Sequence, residues 1–216
     1  MGQYYEAVLR TNNGEFIVLN PHVFNEGAKL LEHSYINNSF VKRTIQLLTN
    51  NPMQLAWLGD YADLDDVKTK DAADLLISFN NFKEKEINYE FNKLSPCKKI
   101  PISDLENSEI NQNKYVIYNN TKKEFVDVEE YLSVLGSKQG NQGNILHPLP
   151  VLSSIGNGRG GGDYYEASPC YKRVGSWACD EITVLTKSKL VELQTLKSFK
   201  FEGYKNIINE VLFLDD

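Results

Sequence analysis

The most specific chemistry in this sequence lies at residues 156–162, where five of seven residues are glycine and Asp163 follows directly. Glycine accepts positive φ and lets the backbone approach a ligand closely, so such a density is typical of a ligand-binding loop. Successive glycine N–H groups can form a concave anion site, to which Arg159 would add a planar set of donors. The predicted ligand contacts are Arg159, Gly160, Gly161, Gly162 and Asp163. The alternative is a surface loop in which Arg159 is solvated or pairs with Asp163.

The glycine spacing also matches a dinucleotide fingerprint, Gly156-x-Gly158-x-x-Gly161. That motif works only when a helix follows, because the helix N-terminus holds the pyrophosphate. Here the segment that follows the glycines, residues 163–169, is short and polar and ends at Pro169. The pattern therefore does not predict a dinucleotide cofactor, and no Gly-Lys-Ser/Thr follows to make a phosphate-binding loop of the Walker type.

A second candidate segment covers residues 57–63, Trp-Leu-Gly-Asp-Tyr-Ala-Asp, at the end of a predicted strand. Strand ends commonly open onto clefts, so Trp57 and Asp60 are predicted ligand contacts in one cleft with the glycine loop. The alternative places Trp57 in the core and makes Asp60 a turn residue. The sequence leaves both interpretations open.

Catalysis remains an open question at this stage. Asp60 and Asp163 are candidate carboxylates for acid–base chemistry or metal binding, although nothing in their spacing requires it. His22 and His33 are eleven residues apart and lack a second ligand at helix-face spacing, so no zinc site is predicted. A serine-hydrolase elbow of the Gly-x-Ser-x-Gly type is absent from the sequence.

Two β-prone runs open the chain, at residues 4–10 and 15–19, and Asn13-Gly14 between them predicts a hairpin with a type I′ turn. Apolar periodicity predicts helices over residues 40–49, with Ser39 as N-cap, and over residues 71–82. Further strands are expected at residues 54–58, 115–118, 124–128 and 177–185, a short helix at residues 28–33, and another helix at residues 128–135. The segment His147-Pro148-Leu149-Pro150 is expected to be extended.

Hairpins predominate over strand–helix–strand repeats, which indicates an α+β fold with a largely antiparallel sheet and two to four helices. The length of 216 residues suits a single domain over residues 1–216. Residues 83–113 are polar, weakly periodic and interrupted by Pro96 and Pro101, so they are expected to form a long loop or insertion.

Composition and charge limit the partners and the cellular location that are expected for this protein. The net charge is −6 and no dense cluster of Lys and Arg occurs, which disfavours nucleic acid as a partner. Residues 1–6 do not predict a secretion signal, and no apolar run reaches the length that predicts a membrane-spanning helix. Its three cysteines lack a disulfide framework spacing, so reduced thiols and a cytoplasmic location are expected.

Several phrases of this sequence look familiar when they are taken in order. They are Met1-Gly2-Gln3-Tyr4-Tyr5, Leu31-Glu32-His33-Ser34-Tyr35 with Asn38 after it, Trp57-x-Gly59-Asp60-Tyr61-Ala62, Asn120-Thr121-Lys122-Lys123-Glu124-Phe125-Val126-Asp127, His147-Pro148-Leu149-Pro150, residues 156–164 and Val174-Gly175-Ser176-Trp177-Ala178-x-Asp180. In this order they resemble a family of uncharacterised proteins from phages, large viruses and some bacteria. The resemblance covers most of the chain outside residues 67–113, and it implies an origin on a viral or mobile genome without implying an activity.

Three functions follow as hypotheses. The first is binding of a small polar or anionic ligand, or of a partner protein, through the glycine loop. The second is a hydrolase or transferase that uses Asp60 and Asp163 on a nucleotide-like or glycosyl substrate. The third is a structural or interaction protein that has no ligand. The sequence identifies no cofactor.

Overall fold

The computed structural model describes residues 3–67, 70–85, 109–138, 145–156, 172–196 and 203–211. Its centre is an eight-stranded, mostly antiparallel sheet in the order β2-β1-β3-β7-β4-β5-β8, with β6 paired to β3 outside that path. The strands are β1 (Tyr5–Arg10), β2 (Phe16–Leu19), β3 (Met53–Gly59), β4 (Tyr115–Asn119), β5 (Glu124–Asp127), β6 (Ser154–Ile155), β7 (Glu181–Thr186) and β8 (Lys205–Asn206). Only the β3–β6 and β5–β8 pairs are parallel, so the predicted α+β class is confirmed.

The hairpin β1–β2 forms where it was predicted, with Arg10 opposite Phe16 and Ala7 opposite Leu19. Its turn is not of type I′. The Gly14 N–H donates to the Thr11 carbonyl at 2.9 Å, and within the turn only Gly14 has positive φ, at 85°. This is a type I turn followed by a glycine bulge, which needs one left-handed residue instead of two.

Six α-helices are described, more than the two to four expected. They are α1 (Leu30–His33), α2 (Ser39–Leu48), α3 (Lys70–Lys85), α4 (Val128–Lys138), α5 (Pro148–Ser153) and α6 (Lys187–Thr195). Asn38, not Ser39, caps α2, since its side-chain oxygen accepts from the N–H groups of Phe40 and Val41. Helix α4 continues through Gly136, at which the sequence predicted the helix to stop.

Helix α5 corrects the expectation of an extended segment at residues 147–150. Pro148 occupies the first turn, where a missing N–H costs nothing, and the Nδ1 atom of His147 accepts from the Leu149 N–H at 3.1 Å. Proline therefore starts this helix. Of the expected long loop, residues 83–85 belong to α3 and residues 109–113 form turns, while residues 86–108 lie outside the described part of the chain.

The sheet has one fully covered face and one partly covered face. The main apolar core lies on the inner face, where Phe40 of α2, Tyr131 of α4 and Leu149 of α5 pack against the strands. On the outer face, α3 covers β1, β2 and β3, and α6 covers β4 and β7, in two separate apolar clusters. Within the described residues, no helix has the length and apolar character needed to cross a membrane.

Candidate ligand-binding site

The strands β3 and β6 run parallel, with Trp57 opposite Ser154 and Leu58 opposite Ile155. Their carboxyl ends therefore meet at the same edge of the sheet. Gly59 ends β3, and Gly156, the first residue of the glycine-rich segment, directly follows β6. The carboxyl ends of neighbouring parallel strands are a common place for ligands, because the chain turns away there and leaves a crevice.

Gln3 fills the space between these two glycines. Its side chain is buried, and its Oε1 atom accepts a hydrogen bond from the Tyr5 hydroxyl at 3.0 Å. A Cβ atom on Gly59 would overlap the Gln3 amide nitrogen, and one on Gly156 would overlap Gln3 Oε1 and the Tyr5 hydroxyl. Glycine is required at both positions because the Gln3 amide occupies the volume of a side chain.

The other end of the Gln3 amide has no partner among the described residues. Its Nε2 atom is buried and makes no hydrogen bond to them, although it carries two N–H donors. A buried donor left unsatisfied costs about 1–3 kcal/mol, so such groups are uncommon in folded proteins. The amide is thus positioned to donate to an acceptor that enters at the ends of β3 and β6.

Asp60 lies beside this position on the exposed edge. Its Oδ1 atom accepts from the Tyr4 N–H at 3.0 Å, and its own N–H donates to the Tyr4 carbonyl at 2.8 Å. The Oδ2 atom makes no hydrogen bond to any residue that the structure describes. Tyr4, its backbone partner, and Tyr61, its neighbour in the chain, are 42% and 45% exposed, so two accessible aromatic residues lie near this carboxylate.

Trp57 does not line this edge. It is fully buried, and its indole N–H donates to Nε2 of His33 at 2.8 Å, while its ring meets Phe40 at 5.0 Å between centroids. The Nδ1–H of His33 donates to the Gly27 carbonyl at 2.8 Å. Burial lowers the pKa of His33 to about 4, so the imidazole stays neutral in this arrangement. Trp57 is a core residue, which was the alternative interpretation.

The remaining predicted contacts, Arg159, Gly160, Gly161, Gly162 and Asp163, lie outside the described residues. The two predicted segments meet at one point, where Gly156 and Gly59 both pack against Gln3. In the described part of the chain, no group of three or more His, Cys, Asp or Glu side chains could hold a metal ion.

Sequence reasoning missed Gln3. The sequence feature that could have identified it is its position two residues before Tyr5. Side chains alternate along a strand, so Gln3 and Tyr5 lie on the same face of the sheet. A polar residue there, followed by Tyr5 and Ala7 on the core face, indicates a buried amide at the sheet edge.

Comparisons of this chain with models of protein families, with curated proteins and with solved structures find no match. The resemblance to the phage and viral family stays a prediction.

Proposed function

We propose that this protein binds a small polar or anionic ligand at the carboxyl ends of β3 and β6. The observation that carries the proposal is the Nε2 group of Gln3, a buried donor for which no described residue provides an acceptor, held where Gly59 and Gly156 meet. An acceptor oxygen of a ligand at this position would satisfy the donor and remove the cost of its burial.

The glycine-rich segment strengthens this proposal from the sequence side. It begins at Gly156, which packs directly against Gln3, so the chain leaves β6 at the proposed site. Glycine N–H groups and Arg159 would supply further donors, and donors suit phosphate, carboxylate or sugar oxygens. The exposed rings of Tyr4 and Tyr61 would add stacking surfaces, which a planar ligand or a partner protein can also use.

An enzyme is the second candidate, and Asp60 is the observation that favours it. The Tyr4 N–H fixes its carboxylate through Oδ1, while Oδ2 has no bond within the described part of the chain. A positioned carboxylate with one free oxygen can act as a general base or bind a cation. Paired with Asp163, it would form the two-carboxylate arrangement of a hydrolase or transferase, for which a separation of about 5–9 Å is required.

The proposal is tested by thermal-shift screening against nucleotides, sugars and divalent metal ions. We expect a ligand that raises the melting temperature of the wild type, and loss of that shift in Arg159→Ala and in Gln3→Met. Gln3→Met keeps an unbranched side chain of similar length but removes the amide. Arg43→Ala, on α2, is the matched control and should keep the full shift.

The unfolding free energy of ligand-free Gln3→Met separates binding from folding. Removing the unsatisfied donor is stabilising and loss of the Tyr5 bond is destabilising, each by about 1 kcal/mol, so the net change should be small. A ligand response that survives in both Gln3→Met and Arg159→Ala would show that the ligand binds elsewhere. A ligand that is chemically altered, with turnover lost in Asp60→Asn, would favour the enzyme.

A further inference from the structure

A row of polar residues crosses three adjacent strands at the opposite end of β3. Arg10 of β1 lies opposite Gln54 of β3, and Gln54 lies opposite Glu181 of β7. Residues paired directly across antiparallel strands share a face, so Arg10, Gln54 and Glu181 form one polar row on the outer face of the sheet. Gln54 is five positions from Gly59, roughly 17 Å along an extended strand, so the polar row is distinct from the site around Gln3.

The polar row lies in a depression of about 260 Å³. It lies where the outer face changes from the cluster under α3 to the cluster under α6, so neither helix covers it. The remaining lining residues are Thr11, Asn12, Gly14, Thr121 and Cys179. Drug-sized ligands occupy pockets of about 300–1,000 Å³, so this volume suits a smaller compound.

The side chains of the polar row make few bonds to the protein. Arg10 forms no ion pair with any described residue, and its guanidinium lies 5.9 Å from the centre of the Phe16 ring. The Gln54 amide makes no hydrogen bond to the described part of the chain. Among the described residues, the Glu181 carboxylate accepts from the Asn120 side-chain amide alone, at 3.0 Å, and does not pair with Arg10.

The spacing within the polar row explains why the two charges remain separate. Arg10 and Glu181 are two strands apart, so their Cα atoms are separated by about 10 Å with Gln54 between them. The Asn120 amide donates to both Glu181 and Thr183, which holds the carboxylate on its own side of the depression. A positive and a negative group thus lie at opposite sides of one small hollow.

The floor of the hollow has an unusual backbone. Cys179 has φ of 64°, a left-handed conformation that is costly for a residue other than glycine. Its N–H donates to the Leu55 carbonyl at 2.7 Å, and the following residue, Asp180, is held by Asn119 at 2.7 Å and by Lys122 at 3.0 Å. The sequence predicted a strand here, but residues 177–180 instead form a turn that precedes β7. Strained backbone held this firmly is frequent at binding sites.

We propose that the polar row binds a small zwitterion, a free amino acid or a similar compound that carries one carboxylate and one ammonium group. The carboxylate would bind the planar donors of Arg10, the ammonium would bind Glu181, and the Gln54 amide would contact the atoms between them. Such a ligand matches both charges at once, whereas a simple anion would be repelled by Glu181 and a simple cation by Arg10.

Ligand-detected saturation-transfer NMR with the proteinogenic amino acids, each tested alone, examines this proposal. We expect saturation transfer to at least one amino acid. Its dissociation constant should be at least about tenfold higher in Arg10→Gln and in Glu181→Gln, because each variant loses a charge-assisted bond to the ligand. The matched controls are Arg43→Gln on α2 and Glu192→Gln on α6, and both should bind as the wild type does. Gln3→Met should also keep this binding, because Gln3 belongs to the other site.

Two probes with a single charge each define the ligand class. Propionate and ethylamine each carry one of the two charges of alanine, so both should bind at least about tenfold more weakly than the preferred amino acid. Backbone amide shifts in ¹⁵N spectra of the wild type provide a second measurement, and they should change at residues 10, 54 and 181. The proposal is overturned if no amino acid gives transfer, if both charge variants bind normally, or if propionate binds as well as the amino acid.

Discussion

Two buried histidines of the inner face and the polar groups at the two ends of β3 differ in how many of their hydrogen bonds are made. On the inner face, His147 accepts from the Leu149 N–H through Nδ1 and lies 2.9 Å from the Tyr115 hydroxyl through Nε2, so both ring nitrogens have partners. Both ring nitrogens of His33 also have partners, the Gly27 carbonyl and the Trp57 indole N–H. At the ends of β3, no described residue bonds to Gln3 Nε2 or to the Gln54 amide, and Arg10 has no ion pair with the described part of the chain. Complete bonding indicates a structural role, whereas unmet bonding capacity gathered at one place indicates a ligand.

Acidification should affect the bonded region most. Burial lowers the pKa of His33 to about 4 and that of His147 to about 3, from 6.5, because desolvation penalises the charged imidazolium. The unfolded chain binds these protons first. The stabilisation is therefore complete above pH 6.5 and is lost as the pH falls towards 4 and then 3. Between pH 6.5 and pH 5 the two histidines together should lower the unfolding free energy by up to about 4 kcal/mol.

Urea unfolding measured at several pH values checks this loss. Unperturbed carboxylates titrate near pH 4, and the pKa of Glu124 is lowered further by Arg173 and Trp177, which overcome its desolvation. The contribution of the carboxylates to the unfolding free energy is consequently lost at lower pH than the contribution of the histidines. His33→Gln should flatten the slope between pH 6.5 and pH 5, whereas the exposed His22→Gln should leave it unchanged. A flat wild-type profile in this range would contradict the role given to the buried histidines.

A methyl group at Gly59 tests the packing at the carboxyl end of β3. Its Cβ would overlap the buried Gln3 amide, so Gly59→Ala should lower the unfolding free energy by about 1–3 kcal/mol. Gly136 is the matched control, because it lies inside α4 and a Cβ there would contact nothing within 4 Å. Gly136→Ala should instead stabilise the protein by about 0.5–1 kcal/mol. Urea denaturation of the two variants gives both values.

A second substitution identifies Gln3 as the group that Gly59 must accommodate. Gln3→Ala removes the amide, so the combined variant should lose much less stability than the sum of the two single variants. Additive effects would mean that Gly59 is needed for another reason, and would weaken the case that Gln3 is held in place for a ligand.

The sequence predicted the elements whose signals are local. The hairpin β1–β2, the apolar stripe of α2 and the pair β4–β5 all follow from periodicity and turn residues within a few positions. Helix α5 was missed because His147-Pro148 read as an extended segment, although proline fits the first turn of a helix. Helix α6 was missed because its hydrophobic pattern is weak, with Leu190 alone buried.

The candidate sites depend on contacts that no local signal encodes. The polar row requires the register of β1 on β3 and of β3 on β7, which joins residue 10 to residue 54 and residue 54 to residue 181. Each of these residues separately looks like an ordinary solvated side chain. The cleft shared by the glycine-rich segment and residues 57–63 stays a prediction. Gln3, against which Gly156 and Gly59 both pack, was visible only once the strands were paired.

The smallest stability effect is expected at the polar row, and this small effect is informative. Arg10 and Glu181 make no ion pair with each other or with other described residues, so Arg10→Gln and Glu181→Gln should change the unfolding free energy by less than about 0.5 kcal/mol. Urea denaturation of both variants at neutral pH measures this change. A loss above about 1 kcal/mol would show that these charges stabilise the fold. If these variants keep their stability but lose amino-acid binding, the polar row differs in role from the histidines of the inner face. A group that is dispensable for folding and required for binding is a ligand-binding group.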